Sequence, residues 1–189
     1  KTLPEHGLKT YAGLGYVERT PDYWELYSTT TDHGVGSTDM MGKTKYKMVD
    51  NLDNLNNERT AQLDLGLQAE HGAWSTWASV YAGLIKDFIL LEYNTPDKRK
   101  PLARNVDATI AGAEAGVGYQ FNDHFQADIS AMYAWGENRS DDRALPQIAP
   151  FEARMNLRYV DEKYSLGLLW RAVAKQDRIS LNEGNVVGY

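Results

Sequence analysis

The amino-acid sequence predicts an all-β protein that forms part of a transmembrane antiparallel β-barrel, and three observations lead to this prediction. Apolar and polar residues alternate with a period of two along much of the chain, whereas helical periodicity is nearly absent. Several alternating segments are about 10–13 residues long, which is close to the roughly 9–11 residues of a tilted strand crossing a bilayer and exceeds the roughly 5–6 of a globular strand. The connections between these segments alternate between long and short.

The first three predicted strands cover residues 8–17, 60–70 and 74–88, and each places apolar residues at every second position. Their apolar faces are formed, in chain order, by Leu8, Ala12, Leu14 and Tyr16; by Ala61, Leu63, Leu65, Leu67 and Ala69; and by Trp74, Ala78, Val80, Ala82 and Leu84. Such alternation is typical of a strand with one apolar and one polar environment.

The last four predicted strands cover 109–121, 125–135, 151–159 and 164–174. Aromatic residues stand near the ends of their apolar faces, as in the girdles that outer-membrane barrels place at the two water–lipid interfaces. The apolar faces are Ala111, Ala113, Ala115, Val117, Tyr119 and Phe121; Phe125, Ala127, Ile129, Ala131, Tyr133 and Trp135; Phe151, Ala153, Met155, Leu157 and Tyr159; and Tyr164, Leu166, Leu168, Trp170, Ala172 and Ala174.

The connections give the strands a direction. The short ones are 70–73, 122–124 and 160–163, and the long, polar ones are 18–58, 90–107 and 136–150. An outer-membrane barrel has short periplasmic turns and long extracellular loops, whereas a soluble sandwich has no reason to sort its loops in this way. The ordering therefore favours a barrel whose first predicted strand runs outward.

The second face of the predicted strands is polar, and we expect it to face the lumen, because these groups are costly against lipid. Its members are Gln62, Asp64, Glu114, Gln120, Asp128, Arg154, Asn156, Arg158 and Arg171. The alternation alone also fits a soluble sandwich or a lipocalin-like barrel with a solvated outer face. Only strand length and loop order separate these possibilities.

Composition excludes several other classes of protein. The 189 residues carry a net charge of -6, whereas nucleic-acid binding needs a basic stripe. The absence of cysteine excludes a disulfide scaffold, a zinc ribbon and a thiol nucleophile. The sequence contains no G-x-S-x-G, H-E-x-x-H or P-loop motif, so we expect neither an enzyme nor a bound cofactor. The spacing of Gly112, Gly116 and Gly118 indicates close backbone approach on the inward face rather than a phosphate cradle.

Four stretches follow one another in a characteristic order: ERTPDYWELY (18–27), NLNNERTAQLDLGLQAEHG (54–72), NVDATIAGAEAGVGYQFND (105–123) and LPQIAPFEARMNLRY (145–159). Their order and spacing resemble the C-terminal part of the barrel of TonB-dependent outer-membrane receptors. Those receptors have an arginine-x-proline segment, a strand with glutamate-x-glycine and a proline-rich approach to a late inward strand. This chain departs from the pattern in having Asp64-Leu65-Gly66 at the second position, and it matches the third with Pro146 and Pro150.

Within that family, the stretches 145–159, 164–179 and 184–189 are most similar to copper receptors, while receptors for siderophores, haem, vitamin B12 or other metal chelates stay open. The resemblance implies a Gram-negative outer membrane, a barrel of about 22 strands with a plug, and import driven through TonB. It also implies that residues 1–189 supply only about seven strands, and that the plug, the TonB-binding segment and the last strand lie elsewhere. Other segments of the same barrel would then be partners of this chain.

Candidate metal ligands occur together in the long connection 18–58. His33, Met40, Met41 and Met48 provide an imidazole and thioethers, the donors that suit copper among the residue types present. They could hold Cu(I) where it first meets the receptor, or they could be incidental methionines of an extracellular loop. We expect His71 and His124 in short turns to be solvated, and Met132 and Met155 to serve packing.

The connection 136–150 carries mixed charge, with acids at Glu137, Asp141 and Asp142 and bases at Arg139 and Arg143. It could bridge lipopolysaccharide through divalent ions or simply be a solvated loop. For the protein as a whole, the other hypotheses are a passive outer-membrane channel, a barrel with an adhesive or enzymatic role, and a soluble β-sandwich binding module.

Overall fold

The computed structural model describes residues 2–3, 7–27, 37–38, 44–45, 55–92 and 102–180. Within these ranges, seven long strands lie side by side, in chain order, in one antiparallel sheet. The strands are β1 (Leu8–Arg19), β2 (Glu58–His71), β3 (Trp74–Glu92), β4 (Leu102–Gln120), β5 (Phe125–Asn138), β6 (Glu152–Val160) and β7 (Ser165–Val173). The predicted all-β, antiparallel fold is therefore confirmed.

Shorter elements lie in the connections. Thr2–Leu3 pairs with β1 and Arg143–Ala144 pairs with β5. Ser37–Thr38 and Thr44–Lys45 form a separate two-stranded sheet, and a short helix, α1 (Tyr23–Tyr27), follows β1. No helix in the described ranges has the length and apolar character needed to cross a membrane.

The predicted strand boundaries are wrong mainly in the β3–β4 hairpin. Its strands continue to Glu92 and start at Leu102, so the connection predicted at 90–107 is shorter at both ends. The reason is that the outer end of this hairpin is buried on both faces of the sheet. Ile89 and Leu90 point to opposite faces because they are consecutive in β3, and they are 5% and 4% exposed. A strand covered on both faces shows no alternation, so the sequence pattern reads as a loop.

Strand register places the predicted polar set on one face of the sheet. Residues that pair directly across an antiparallel ladder project to the same side. Asn156 pairs with Asp128, and Arg154 pairs with both Ser130 and Arg171. Continuing these pairs through β5, β4, β3 and β2 brings the whole predicted set to this side, which we call the polar face: Gln62, Asp64, Glu114, Gln120, Asp128, Arg154, Asn156, Arg158 and Arg171.

The opposite face, which we call the apolar face, is uncovered. Leu14 on β1 is 85% exposed, and Leu166 and Leu168 on β7 are 67% and 59% exposed. In water such a surface would be a large aggregation-prone patch. In contact with the hydrocarbon of a bilayer the same surface carries no free-energy penalty, because lipid tails are as apolar as leucine.

Aromatic rings cross the sheet at the end that carries the short turns, which we call the short-turn end. The ring centroids of Trp74 and Tyr119 are 4.5 Å apart, and those of Tyr119 and Phe121 are 4.9 Å apart. The row continues from Phe121 to Phe125 at 6.3 Å and from Phe125 to Tyr159 at 5.8 Å. The predicted girdle is thus confirmed at this interface.

Two of the short turns have the same construction. The Asn122 Oδ1 accepts hydrogen bonds from the backbone N–H groups of His124 and Phe125, both at 2.9 Å. The Asp161 Oδ1 accepts from the N–H groups of Lys163 and Tyr164, both at 2.7 Å. A side-chain oxygen that binds backbone amides two and three residues ahead stabilises a tight reversal of the chain.

Candidate functional site: the polar face and its outer rim

The polar face carries a cluster of three charged side chains near the start of β6. Glu152 is 7% exposed, and its carboxylate accepts hydrogen bonds at 2.5 Å from both Arg154 and Arg171. On the neighbouring pair of strands, Asn156 Nδ2 donates to Asp128 Oδ1 at 3.1 Å. Because two guanidinium groups occupy the Glu152 carboxylate, this carboxylate is not available as an anion to a passing cation.

Shallow grooves lie on this face. One, of about 230 Å³, is lined by Trp77, Glu114, Met132, Glu152 and Arg154, among others. It combines an aromatic edge, a thioether and carboxylates at mid-height of the wall. Met132 therefore belongs to the polar face, whereas Met155 lies on the apolar face through its pairing with Ile129 and Trp170.

Aromatic rings on the polar face cover glycines of the adjacent strand. Tyr11 lies over Gly66, Tyr81 over Gly112 and Trp77 over Gly116, each being a directly paired position of the ladder. Gly112 and Gly116 do relieve crowding on the inward face, but a side-chain ring approaches each of them where close backbone approach was predicted. Each ring fits at its place because the facing position has no side chain.

At the opposite, long-loop end, an ion network fixes the start of the connection after β1. Arg19 donates from both terminal nitrogens to the two oxygens of Glu25, at 2.9 and 3.0 Å, and also to Glu58 at 3.1 Å. Glu25 caps α1 as well, because its carboxylate accepts from the Asp22 N–H at 2.7 Å while Asp22 Oδ1 accepts from the Glu25 N–H at 2.8 Å. Partnership with Glu25, and secondarily with Glu58, raises the pKa of Arg19.

The return of the same connection is fixed by a group of amides. Asn56 N–H donates to Asn105 Oδ1 at 2.7 Å, and Asn105 Nδ2 donates to the Asn56 carbonyl at 3.1 Å and to the Asp87 carbonyl at 2.6 Å. Asp87 itself forms a β-bulge, with a φ of 57° and a register shift between Ile85 and Phe88. The described start and the described end of the connection between β1 and β2 are thus both bonded to the sheet, through Glu25 at its start and Asn56 at its end.

The structure leaves the predicted metal ligands untested. His33, Met40, Met41 and Met48 all lie outside the described residues. Among the residues that the structure does describe, no group of three or more His, Asp or Glu side chains is arranged to hold a metal ion.

The predicted turn histidines are exposed, but His124 is also bonded. Its Nδ1 lies 3.0 Å from the carbonyl oxygen of Val160, so it joins the two similar turns as well as meeting solvent. His71, in the first short turn, is exposed.

The mixed-charge connection differs from the expected solvated loop. The Asp141 carboxylate bonds to Arg104 and accepts from Asn138 Nδ2 at 2.7 Å. The Arg104 contact in particular holds the pKa of Asp141 below its usual range. Asp141 is therefore engaged with the protein, and the exposed charges of this connection are Asp142, Arg139 and Arg143.

Several residues of the outer rim were not singled out from the sequence. The Arg19–Glu25–Glu58 network joins residues up to 39 positions apart, and the amide group joins Asn56 to Asn105. One signal was available, because Asp22-x-x-Glu25 is a capping-box pattern. Nothing in the local sequence indicates the long-range partners.

A sheet of long strands with an uncovered apolar face, a polar opposite face and an aromatic girdle defines an outer-membrane β-barrel protein. The family comparison makes this specific. Residues 3–189 match the sequence model of the family described as TonB dependent receptor-like, β-barrel. The chain therefore belongs to the TonB-dependent receptor family, whose members are outer-membrane transporters of Gram-negative bacteria rather than enzymes.

Solved structures give the same fold. The structure named copper transporter OprC is 44% identical, with a TM-score of 0.80, and the match covers 96% of this chain and 26% of that one. The siderophore receptor PirA from Pseudomonas aeruginosa is 14% identical (TM-score 0.61; 90% of this chain, 28% of that one). The FrpB iron transporter from Neisseria meningitidis is 19% identical (TM-score 0.60; 92% and 25%).

The two more distant structures support the fold alone. The chain spans about a quarter of the length of each of these three proteins. A search of curated protein sequences gave no match.

Proposed function

We propose that this chain is part of an active outer-membrane transporter that imports copper into the periplasm with energy delivered by TonB. The observation that carries the proposal is the 44% identity to the structure named copper transporter OprC, over 96% of this chain. The 14% and 19% identities to PirA and FrpB support no substrate.

The polar face supports passage of a small hydrated cation. Its carboxylate Glu152 is already paired with Arg154 and Arg171, so this side chain would not retain a passing cation strongly. Conduction through a lined path requires that binding be weak enough for release.

Further strands are needed to complete such a wall. Among the described residues, the edge of β7 and the part of the β1 edge beyond its short pairing with Thr2–Leu3 have no partner strand. Backbone N–H and C=O groups left unpaired in hydrocarbon are costly. We propose that other segments of the same receptor pair with these edges, and that a plug and a TonB-binding segment in the remainder of the receptor provide the coupling to TonB.

The connection after β1 is the proposed site of first contact with copper. His33, Met40, Met41 and Met48 would supply one imidazole and three thioethers, a soft donor set suited to Cu(I). Glu25 and Asn56 bond the two described ends of this connection to the sheet, and this supports a fixed place for the connection at the long-loop end. Copper here is cargo, and no resident cofactor is proposed.

Lipid and lipopolysaccharide are the proposed surroundings of the barrel. The uncovered leucines of the apolar face would contact acyl chains. At the outer rim, Arg139 and Arg143, together with Asp142, would face the charged head groups, directly or through divalent ions.

The test of function is copper uptake by cells that carry the full-length receptor, with and without TonB. We expect uptake at low copper concentration to need both proteins. Uptake that persists without TonB would identify a passive channel, and receptor-dependent uptake of a ferric siderophore with no copper uptake would identify a chelate receptor. A receptor fraction that stays in solution without detergent would contradict the membrane assignment.

A further inference from the structure

The apolar face ends, at the long-loop end, in a row of charged side chains. Glu18, Arg59 and Lys86 lie side by side on β1, β2 and β3, because Glu18 pairs with Arg59 and Arg59 pairs with Lys86 in the ladder. Arg59 is two positions from Ala61 and therefore projects to the apolar side of the sheet. Lys86 stands in the same relation to Leu84. The row is thus on the lipid-facing side and not on the polar face.

The surface next to this row is apolar and uncovered. Tyr16 and Leu84 belong to the neighbouring row of the ladder, and they are 67% and 58% exposed. Two residues along a strand span about 7 Å, so the side chains change from apolar to charged over that distance. Such a change marks the level at which a barrel passes from acyl chains to lipid head groups.

Arg59 and Lys86 form a like-charged pair at directly opposite positions. Side chains in such positions are about 5 Å apart at Cβ, and like charges there destabilise a sheet. Lys86 is exposed and makes no hydrogen bond or ion pair within the part of the chain that the structure describes. Arg59 Nε lies 3.6 Å from Glu18 Oε1, an oxygen that already accepts from Asn57 Nδ2 at 3.0 Å. The protein therefore leaves the repulsion between the two cations largely uncompensated.

Neighbouring charges on the same side are engaged elsewhere. Asp107 on β4 accepts a hydrogen bond from the Asp87 N–H at 3.3 Å. Arg178, beyond the end of β5, donates to Glu137 at 3.0 Å and lies over the Trp135 ring at 4.8 Å. An arginine at this border can thus be given a carboxylate partner by the fold, and Lys86 is not.

Two adjacent cations beside an uncovered apolar surface suit an amphiphile with a doubly charged head group. A phosphomonoester carries about −1.5 to −2 charges at pH 7 and three acceptor oxygens. One such group can accept from the Arg59 guanidinium and from the Lys86 ammonium together, and charge-assisted bonds of this kind are strong. The phosphodiester of an ordinary phospholipid has a single charge. In the outer leaflet of a Gram-negative outer membrane, phosphomonoesters on an acylated lipid belong to the lipid A part of lipopolysaccharide.

We propose that Arg59 and Lys86 bind a phosphomonoester of lipid A, whose acyl chains lie along the apolar face next to Tyr16 and Leu84. The phosphate replaces the repulsion between the two cations with attraction to both. The site rests on the proposed lipopolysaccharide surroundings of the barrel and on the outward direction of its long-loop end. Copper and TonB have no part in it.

The first test uses the unaltered full-length receptor, purified in a detergent with a neutral head group. The probes are fluorescent lipid A with its phosphomonoesters, the same lipid with the phosphates removed, and fluorescent phosphatidylglycerol, which has a phosphodiester. We expect phosphorylated lipid A to bind about tenfold or more tightly than either of the others. Equal affinities overturn the proposal, and so does displacement of lipid A by an equal concentration of inorganic phosphate.

The second test removes the two cations with Arg59→Gln and Lys86→Gln. The matched control, Arg158→Gln with Lys163→Gln, removes one arginine and one lysine from the polar face and a short turn. Folding of each variant is checked by the resistance of the barrel to unfolding in cold detergent. We expect the affinity for phosphorylated lipid A to fall about tenfold or more in the first variant and to stay unchanged in the control. An unchanged affinity in the folded first variant, or an equal loss in the control, overturns the site.

Stability gives a second reading that needs only one substitution. In phosphatidylcholine vesicles, Lys86→Gln removes one of two like charges, so the urea midpoint of unfolding should stay the same or rise. In the same vesicles with added lipid A, the midpoint should fall below that of the unaltered receptor. A fall of the same size in both would show a role without lipid A and would overturn the proposal. Copper uptake is not measured in any of these experiments, so their failure leaves the proposed transport function standing, and a failure of copper uptake leaves the lipid site standing.

Discussion

Tyr81 lies over Gly112 on the facing strand, so that a Cβ built at Gly112 would come within 2.4 Å of the Tyr81 ring. The two residues pair directly in the ladder between β3 and β4. The same arrangement recurs with Tyr11 over Gly66 and with Trp77 over Gly116. Aromatic bulk on the lumen wall therefore requires a bare backbone opposite each ring.

Gly112→Ala should destabilise the folded receptor by about 1–3 kcal/mol, because the added methyl group displaces the Tyr81 ring from its position. The measurement is the urea midpoint of unfolding in lipid vesicles. Gly15→Ala is the control, since it lies on the same face but its Cβ would meet nothing within 4 Å. Equal midpoints for the two variants would show that the ring moves aside at no cost.

The Arg19–Glu25 pair should show a measurable coupling. Its guanidinium makes two parallel bonds to a carboxylate whose side chain is 10% exposed. Arg19→Gln and Glu25→Gln, alone and combined, should give a coupling energy of about 1 kcal/mol or more in unfolding experiments.

The neighbouring pair of Arg59 and Glu18 is the control for that cycle. Its atoms are 3.6 Å apart and its side chains are 45% and 44% exposed. Solvent screens an exposed pair of this kind, so the coupling should be near zero. Similar coupling energies for both pairs would mean that the burial of Glu25 and its two hydrogen bonds with Arg19 add nothing to the strength of the ion pair.

Leu168 and Leu169 on β7 provide a test of the lipid assignment. The two neighbours are 59% and 66% exposed, but they project to opposite faces of the sheet. Leu168→Arg should cost about 2–4 kcal/mol near the middle of the bilayer, whereas Leu169→Arg faces the lumen and should be tolerated. For each of the two variants we measure the folding yield in lipid vesicles and the urea midpoint of unfolding. A soluble sheet would accept arginine at either position.

The turn at Asp161 should contribute a stability that depends on acid pH. Hydrogen bonds from the backbone N–H groups of Lys163 and Tyr164, and then from the Tyr159 hydroxyl, lower the pKa of Asp161 in the folded state. The stabilisation is then complete above the pKa of the unfolded chain, about 4, and is lost as the pH falls through the lower folded value.

Asp161→Asn retains an oxygen for the backbone amides but cannot titrate, so this variant should lose that part of the pH dependence of the unfolding midpoint. Glu162→Gln, in the same turn, should behave like the unchanged receptor. If Asp161→Asn keeps the full acid dependence, the carboxylate does not supply it.

Copper uptake should depend on the thioethers of the connection after β1. Met40→Ala with Met41→Ala should raise the copper concentration needed for half-maximal uptake by about tenfold or more, as loss of groups at a metal site commonly does. Met155→Leu on the apolar face is the control. Uptake that is unchanged in the double variant would make the two methionines bystanders.

The seven strands could be predicted from the sequence because side-chain direction has a period of two, whatever the neighbouring strand is. Arg154, Asn156 and Arg158 had to share a face, and their pairing with β5 and β7 then followed from the short turns. Asn122 and Asp161 mark those turns because their side chains bind amides only two and three residues ahead. Information of this kind is local.

The rest of the structure depends on contacts that the sequence does not display locally. The outer ends of β3 and β4 are buried on both sides, so Ile89 and Leu90 show no alternation. Leu145 and Ile148 look like ordinary loop residues until their strand neighbours Ile85 and Ala108 are brought to the same place. The metal ligands stay a prediction because His33, Met40, Met41 and Met48 lie outside the described residues.

The bulge at Asp87 separates two reading frames of side-chain direction. Between Trp74 and Ile85, the odd-numbered residues of β3 point into the lumen. From Phe88 onward, the even-numbered residues point into the lumen. The change occurs because Lys86 and Asp87 together oppose the single residue Asp107 on β4. Inserting or deleting one residue within the membrane part of β3 would exchange lipid-facing and lumen-facing side chains along part of the strand. At the bulge, a change of one residue leaves the membrane part in frame, so we expect it to disturb the barrel less than the same change within the membrane part.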